Sequence, residues 1–479
     1  MILLCNPWIH DFAAYDLWMR PVGLLSLAEV LIRKGVSLEL VDVLDRNTLT
    51  WGPNANPRPK KDGRGAFFKS RLEKPKVVRH IPRYFSRYGA PYEKVEERLR
   101  QLSRSHQFKA VLLTSSMTYW YTGVIEIASL LRRSLPDTPL VAGGSYVELM
   151  HHHASANVRA DLHFSSRPTD KKPDLMKSLK KLLGTTLDPW PDILPVSLRN
   201  AMDLYPFWTS YPLMTSVGCP FNCRFCATSM LQPKFRRRPY KEVVEEIFEA
   251  NDARGVKDFV FYDDALLHRP DEHIKPMLNA LLEKGGGEKF YFRFHTPNGL
   301  APRDIDEELA DLMNKTNFTR PRLSLESIDP LRAADMSHKV TVDYYKRGIS
   351  NLLKSGYKPG EPITYILMGI RGESEEMVAE TIKTAYEAGS TVTVAGLSPI
   401  PGTASYRDWE IPQNMDPLLL SNTLFIPHTA QTLNNDKNDK NDKNGRTETL
   451  KNPLQRMRLL ARELNRKITT APQHIFSYG

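Results

Sequence analysis

The chain has 479 residues, 41% of them hydrophobic and 25% charged, which is typical of a globular protein of about three domains. It contains four cysteines, three of them within eight residues, so a disulfide framework is excluded and a reducing, cytoplasmic compartment is expected. No apolar run approaches the length that crosses a bilayer, and the apolar residues 1–8 are too short for a signal peptide.

The formal net charge of +11 is concentrated in one stretch. Residues 58–109 contain 16 Lys/Arg and 5 Asp/Glu, so they account for the whole excess of positive charge. A local basic face of this kind can bind a phosphate-rich partner such as RNA. A solvated surface, or contact with an anionic cofactor or a reductase, explains the same composition and is the preferred interpretation.

The N-terminal third alternates short apolar strands with amphipathic helices. A strand at Ile2–Cys5, a helix from Pro21 to Gly35 and a strand at Ser37–Val43 form a β-α-β unit, which predicts a parallel sheet. The same alternation continues with a helix near Pro91–Ser103, a strand at Ala110–Ser115, a helix at Val124–Arg133 and a strand at Pro139–Ala142 that stops at Gly143-Gly144. Residues 1–165 are therefore expected to form a doubly wound, Rossmann-like α/β domain.

Two features precede the second domain. His151-His152-His153 is poorly arranged for chelation, because consecutive side chains point in different directions, and is expected in a solvent-facing loop or helix end. Residues 166–208 are rich in Lys and Pro, which predicts an interdomain linker.

Residues 209–410 show six further strands, with helical periodicity between them. The first, Leu213–Ser216, leads into the cysteine-rich loop. The others are expected at Asp258–Tyr262, Phe290–His295, Arg322–Leu325, Ile363–Met368 and Thr391–Leu397. Six β/α units predict a partial barrel with its chemistry at the carboxyl ends of the strands.

The last region, residues 411–479, begins with a polar segment. Three Asn-Asp-Lys triplets at 435–443 carry no apolar residue, which predicts a disordered linker over residues 433–449. Leu454–Ile468 has the pattern of a basic amphipathic helix, which is expected to pack on the barrel rather than lie on a membrane.

The strongest chemical motif is the cysteine loop. Cys219, Cys223 and Cys226 are separated by three and two residues, so their sulfurs can turn toward one point and bind three irons of a [4Fe–4S] cluster. The fourth iron would lack a protein ligand and could hold a small molecule. A zinc knuckle would need a fourth Cys or His, and the next downstream is His268. A ferredoxin-like cluster would need the distant Cys5.

These three cysteines, with the aromatic Phe225 before the last of them, resemble the signature of the radical S-adenosylmethionine (SAM) enzymes, and the resemblance makes Phe225 a candidate SAM-binding residue. In that family the amino and carboxylate groups of SAM occupy the open iron. The resemblance covers about residues 1–410. It implies that Asp263 and Asp264 meet the methionine amino group, where a Tyr-Asp-Asp turn replaces the usual Gly-Gly-Glu; a helix N-cap is the alternative role for one of the pair.

The resemblance also assigns SAM-binding roles to residues at the ends of two later strands. Ser324 and Glu326 look like the ribose-contacting position of the family. Gly369 and Ile370 lie in a glycine-containing turn that resembles its adenine-binding turn, in which backbone groups touch the base.

The N-terminal domain resembles the cobalamin-binding type that precedes some radical SAM barrels. In that type, glycines such as Gly143 and Gly144 let the backbone approach the nucleotide tail of cobalamin. The chain departs from the type in one respect: the D-x-H-x-x-G signature that supplies a cobalt ligand does not occur, and Ile9-His10-Asp11 does not match it. Some members bind cobalamin without a protein ligand, so both cobalamin binding and retention of the fold alone stay open.

Together, the resemblances imply a radical SAM enzyme reduced by a flavodoxin or ferredoxin. Such an enzyme cleaves SAM to a 5′-deoxyadenosyl radical, and with cobalamin the expected outcome is methylation of an unactivated carbon. One alternative is radical chemistry without cobalamin, such as thiolation, rearrangement or oxidation. Another is a non-catalytic iron–sulfur or zinc protein that binds RNA through its basic face. The substrate is not indicated, and no side chain is identified as a catalytic acid, base or radical relay.

Overall fold

The computed structural model describes residues 1–47, 60, 62–165, 180–181, 196–286, 290–335, 340–412, 414–424 and 452–470. The chain forms two compact units. Unit 1 comprises Met1–Pro212 and Met415–Ser421, and unit 2 comprises Leu213–Asn414 and Asn422–Gly479. Most of the expected linker 166–208 and the whole Asn-Asp-Lys segment lie outside the described residues.

Unit 1 contains two small groups of strands and the helices that cover them. Its strands are β1 (Ile2–Asn6), β2 (Ile9–Asp11), β3 (Leu38–Asp42), β4 (Lys69–Arg71), β5 (Ser86–Tyr88), β6 (Ala110–Leu113), β7 (Leu140–Ala142) and β8 (Leu162–His163). Its helices are α1 (Val22–Arg33), α2 (Tyr92–Ser105), α3 (Tyr121–Ser134), α4 (Ser145–Leu149), α5 (His151–Asn157) and α6 (Arg199–Met202).

Five of these strands form a parallel sheet in the order β3-β1-β6-β7-β8. Ile2 of β1 lies opposite Leu38 on one side and Ala110 on the other, and β1 is buried throughout. Burial of both faces explains why the strand is continuously apolar rather than alternating. Because the chain passes from β1 first to β3 and then back to β6, the sheet order reverses between β1 and β6, which is where open α/β sheets bind ligands.

A second sheet of unit 1, in the order β2-β5-β4, is antiparallel. It lies within and beside the basic stretch, where the sequence indicated no strand. The short segment 415–421 also belongs to unit 1. There the Tyr121 hydroxyl donates a hydrogen bond to Asp416 at 3.0 Å, and the Ser421 hydroxyl donates to the buried Asp11 at 3.1 Å.

Unit 2 contains eight strands and nine helices among the residues that the structure describes. The strands are β9 (Tyr211–Leu213), β10 (Ser216–Val217), β11 (Arg236–Arg237), β12 (Asp258–Phe261), β13 (Arg293–His295), β14 (Arg322–Ser324), β15 (Ile363–Met368) and β16 (Thr391–Gly396). The helices are α7 (Thr228–Leu231), α8 (Tyr240–Arg254), α9 (Ile274–Gly285), α10 (Glu307–Lys315), α11 (Pro330–Asp335), α12 (Val342–Lys354), α13 (Glu375–Glu387), α14 (Ala404–Asp408) and α15 (Pro453–Thr470).

Six strands of unit 2 follow one another around a partial barrel. They form the sheets β13-β12-β9 and β14-β15-β16, whose neighbours β12/β13, β14/β15 and β15/β16 are parallel. Parallel bridges from Phe294 to Phe318 and from Leu300 to Leu323 connect the two sheets. The predicted fold class, a Rossmann-like domain followed by a partial barrel and a C-terminal helix, is confirmed.

The terminal helix α15 covers the last barrel strand. The Asn465 side chain accepts a hydrogen bond from the Val392 amide at 2.7 Å and donates one to the Val392 carbonyl at 2.8 Å. These two bonds satisfy an edge strand whose backbone would otherwise face water or another chain. Arg456 pairs with Glu375 of α13 at 2.5 Å. Within the described part of the chain, no helix is long and apolar enough to traverse a bilayer.

Candidate cluster and SAM site

The cysteine loop is held at its base by a short antiparallel hairpin. β10 and β11 pair through Ser216 with Arg237 and Val217 with Arg236, so residues 218–235 leave and return at one place. Gly218 has φ +79°, and a Cβ atom there would lie 2.6 Å from the Lys234 carbonyl oxygen. Glycine is therefore required at the point where the loop leaves β10.

The three loop cysteines are not joined in disulfide bonds, and all three are partly buried. The Thr228 amide donates to the Cys226 sulfur at 3.4 Å, and the Thr228 hydroxyl lies 3.2 Å from it. Hydrogen bonds of this kind tune the reduction potential of a cluster bound to such a sulfur.

The spacing of these thiols differs from that of ligands to a single ion. Among the described residues, the only three donor atoms of His, Cys, Asp or Glu within 4.8 Å of one another belong to Asp271, Asp306 and Glu308. Sulfurs bound to one tetrahedral zinc at about 2.3 Å would be closer than this limit. In addition, the ring of His268, the nearest downstream histidine, packs edge-on against Phe221 and Phe235.

The loop is tied to the segment that follows the sixth barrel strand. The Ser405 amide donates to the Arg224 carbonyl at 3.0 Å, and the Arg224 guanidinium contacts both carboxylate oxygens of Asp408 at 2.8 Å. Since Arg224 directly follows Cys223, this contact fixes the loop between its second and third cysteines.

A cavity of about 200 Å³ lies beside this contact. It brings together Phe225 and Ile370, two residues that the sequence assigned to SAM although they are 145 positions apart. The remaining lining residues, which the sequence did not indicate, are Arg224, Arg332, Arg371, Ser405, Asp408 and Trp409. The cavity is large enough for a purine ring and is bounded by an aromatic and an aliphatic side chain.

The turn that presents Ile370 to this cavity is held at both ends. Gly369 has φ +110°, its amide donates to the Glu373 carboxylate at 3.0 Å, and its carbonyl accepts from the Trp409 indole at 3.1 Å. Arg332 donates to the Arg371 carbonyl. The backbone of the turn is thus positioned by side chains from three separate elements.

The Asp263-Asp264 pair at the end of β12 is divided between two environments. Asp263 is buried, accepts hydrogen bonds from the Thr215 hydroxyl at 2.6 Å and the Ser216 hydroxyl at 2.5 Å, and has a pKa raised by burial. Asp264 is exposed, and both aspartates line a narrow recess together with Phe221 and Asn298. Asp263 therefore joins β12 to β10, whereas the side chain of Asp264 is open to solvent.

The two residues assigned to the ribose also differ. Ser324 is buried, and its Oγ would lie 2.2 Å from a Cβ on Gly299, so the turn after β13 packs directly on it. Glu326 is partly exposed and has φ +63°, an uncommon conformation for a residue with a side chain. Backbone strain of this kind is often found at ligand sites, so Glu326 fits a ligand-contacting role better than Ser324.

In unit 1, the predicted glycines lie directly after β7. Gly144 has φ +91°, and a Cβ there would be 2.2 Å from the Ser115 carbonyl oxygen and 2.6 Å from its nitrogen. A Cβ on Gly143 would meet nothing closer than 3.7 Å. Gly144 is therefore required by the adjacent backbone after β6, whereas a side chain at Gly143 would make only ordinary contacts with Phe164.

This difference gives a matched pair of variants. Gly144→Ala is expected to lower the free energy of unfolding by about 2 kcal/mol, through backbone strain and a clash with Ser115. Gly143→Ala is expected to change it by less than about 0.5 kcal/mol. Thermal unfolding monitored by circular dichroism measures both, and equal stability of the two variants would contradict the assignment.

The histidines of unit 1 are engaged in local contacts. His10 is buried 3.0 Å from Glu126, and burial lowers its pKa, so it is not presented as a cobalt ligand. His151 and His152 are exposed at the start of α5, and His153 is within 2.7 Å of the Tyr146 hydroxyl. The three consecutive histidines thus point to different surroundings.

Several residues of the basic stretch are paired with acidic side chains. Arg87 binds Glu126, Arg98 lies 3.4 Å from Glu39, and Lys94 lies 3.1 Å from Glu97. These pairs neutralise part of the local charge and agree with a solvated surface, although RNA binding stays an open alternative.

Comparison with known proteins places this geometry in a family. Residues 213–385 match the family model described as the Radical SAM superfamily. The chain is 30% identical over 208 residues to cytidylyl-2-hydroxyethylphosphonate methyltransferase from Streptomyces wedmorensis, covering 41% of this chain and 36% of that protein. It is 27% identical to a tRNA-2-methylthio-N(6)-dimethylallyladenosine synthase from Streptomyces viridosporus, covering 49% and 45%. The chain thus spans less than half the length of these curated relatives.

A solved structure matches across both units. It is the radical S-adenosylmethionine methyltransferase TsrM from Kitasatospora setae, determined with cobalamin and a [4Fe–4S] cluster bound. The match has a TM-score of 0.59 at 15% identity and covers 84% of this chain and 76% of that one. A radical SAM domain uses a [4Fe–4S] cluster and SAM, the two cofactors predicted from the cysteine loop. Residues 213–385 of this chain therefore form a radical SAM domain, and this domain is a member of the radical SAM superfamily.

Proposed function

We propose that the chain cleaves SAM reductively at a [4Fe–4S] cluster and uses cobalamin to methylate an unactivated carbon. The observation that carries the first part is the cysteine loop itself. Its three cysteines lie on one anchored loop, and Phe225, which directly precedes the last of them, lines a purine-sized cavity with Ile370.

Each group of residues has a role in this proposal. Cys219, Cys223 and Cys226 would hold the cluster, which supplies an electron to the SAM sulfonium and so generates a 5′-deoxyadenosyl radical. Asp264 would accept a hydrogen bond from the SAM amino group, a charge-assisted contact. Glu326 would meet the ribose, and the Gly369–Ile370 backbone would meet the adenine.

The proposal that the chain binds cobalamin rests on the architecture of unit 1. The carboxyl edge of its parallel sheet, at the reversal between β1 and β6, is the general ligand position of such folds, and Gly143 lies at the same edge, directly after β7. The buried His10 offers no cobalt ligand, so binding would not use a histidine from this position. When bound, cobalamin supplies a cobalt centre that can carry a methyl group.

The test uses the full chain, reconstituted without oxygen. Incubation with SAM and dithionite is expected to release 5′-deoxyadenosine, and a corrinoid spectrum is expected to remain with the protein through gel filtration. If 5′-deoxyadenosine forms without retained corrinoid, the alternative of cobalamin-independent radical chemistry is supported. If a fully clustered sample releases none, the enzyme assignment fails and a non-catalytic binding protein becomes the better description.

The electron donor and the substrate belong to the same proposal. A flavodoxin or ferredoxin is expected to replace dithionite in the assay, since low-potential clusters need a protein reductant in cells. Comparison of metabolites between a strain that lacks the protein and its parent is the direct route to the substrate.

A further inference from the structure

The resemblance to the radical SAM family assigns no ligand-contacting role to the carboxylate of Glu373. It lies immediately after the turn that presents Ile370 to the cavity, and it is partly buried. Its oxygen accepts from the Gly369 amide at 3.0 Å, and the Ile370 amide also faces it. Both amides belong to the proposed adenine turn.

The surroundings of Glu373 disfavour the charged form of its carboxyl group. Burial raises its pKa from an ordinary value of 4.5 to about 7, despite the two amides and the nearby Arg332, which favour the ionised form; Glu326 opposes it. These are the charged groups that face Glu373 from the neighbouring α11 and the end of β14. An ionised Glu373 therefore costs folding stability at and above neutral pH.

A glutamine at position 373 would have a similar shape and would not carry this cost in folding stability. Residues that reduce stability are commonly found where they serve a site. Resting on the proposed function, we infer that Glu373 is a positioning residue: its ionised carboxylate holds the Gly369 and Ile370 amides so that the turn can receive the adenine of SAM. Trp409 fixes the carbonyl side of the same turn, so the carboxylate and the indole together set the orientation of one peptide group.

The sign of the pH effect follows from the raised pKa. The stability cost is absent below about pH 4.5, grows as the pH rises, and is complete above about pH 7. The hydrogen bonds from the Gly369 and Ile370 amides to the carboxylate depend on pH in the opposite sense, because they weaken as the carboxylate is protonated at lower pH. We expect the KM for SAM of the unmodified enzyme to rise as the pH falls from 8 to 6.

The test compares Glu373→Gln with the unmodified enzyme and with Glu376→Gln, a change of an exposed glutamate in the first turn of α13. At pH 8, Glu373→Gln is expected to raise Tm by about 3–6 °C and to raise the KM for SAM about tenfold. Its kcat for 5′-deoxyadenosine formation should stay within about twofold, and its KM should no longer depend on pH between 6 and 8. Glu376→Gln should match the unmodified enzyme in all of these.

Glu373→Asp provides the second variant, since it keeps the charge but withdraws it from the amides. It is expected to raise KM without raising Tm. The inference is overturned if Glu373→Gln keeps the original KM, or if it lowers Tm and activity together, as a purely structural role would. If the unmodified, fully clustered enzyme neither binds nor cleaves SAM, the proposed function itself fails, which is a distinguishable result.

Discussion

Replacing Cys226 with alanine is expected to abolish 5′-deoxyadenosine formation and to remove most of the iron from the reconstituted protein. The cluster would keep only two protein ligands, Cys219 and Cys223, which is too few to hold a cubane with one open iron. The loss of activity should exceed the 10–100-fold that removal of an outer hydrogen-bond partner typically costs. Iron and sulfide analysis and the absorbance near 400 nm measure the loss of the cluster, and chromatography of the assay products measures the loss of activity.

Cys5→Ala is the matched control for this variant. Cys5 is fully buried in β1, an inner strand of the parallel sheet of unit 1, and burial raises the pKa of its thiol far above its ordinary value. We expect its replacement to cost about 1 kcal/mol of stability through lost packing and to leave iron content and SAM cleavage unchanged. If Cys5→Ala lost iron to the same extent as Cys226→Ala, Cys5 would be a fourth ligand and the open-iron argument would fail.

Substitution of Asp263 is expected to lower the stability of the fold, whereas substitution of the neighbouring Asp264 is expected to weaken SAM binding. Asp263→Ala leaves the Thr215 and Ser216 hydroxyls and the Thr215 amide without their acceptor, so we expect a loss of about 2–4 kcal/mol in the free energy of unfolding. Asp264→Asn should leave stability within about 0.5 kcal/mol and weaken SAM binding by about 10–100-fold, the cost of one charge-assisted hydrogen bond.

Denaturant unfolding and equilibrium binding of SAM under anaerobic conditions separate the two effects. Asp263→Asn, which keeps the size of the side chain and one acceptor oxygen, should recover part of the stability lost in Asp263→Ala. The division of roles is contradicted if Asp264→Asn binds SAM normally while the folded fraction of Asp263→Asn does not.

The sequence was most informative where local pattern determines structure. The strands β1, β12, β15 and β16 lie in segments rich in apolar and β-branched residues and bounded by glycine, proline or polar residues, and the spacing of the three cysteines was enough to predict a cluster. These features require only neighbouring residues. The fold class and the cluster motif could therefore be predicted without knowledge of which elements touch.

Features formed by distant residues were not accessible in this way. Strands β2, β4 and β5 have three residues each, too short to show alternation, and Ile9 pairs with Tyr88 across 79 positions. The division of labour between Asp263 and Asp264 depends on which side chain faces Thr215. Trp409 reaches the Gly369 carbonyl from beyond β16. The one local sign of a role for Glu373 was its position directly after Gly372, in the turn that follows β15.

The return of residues 415–421 to unit 1 limits how this protein can be divided for study. The polypeptide crosses from one unit to the other three times, so no single cut separates them. A fragment that ends at Pro212 would leave Asp11 without the Ser421 hydroxyl and Tyr121 without the Asp416 carboxylate. A peptide spanning 415–421, added to such a fragment, should bind to it and raise its Tm. Corrinoid-binding studies on the first unit alone are accordingly best designed with this peptide fused or supplied in excess.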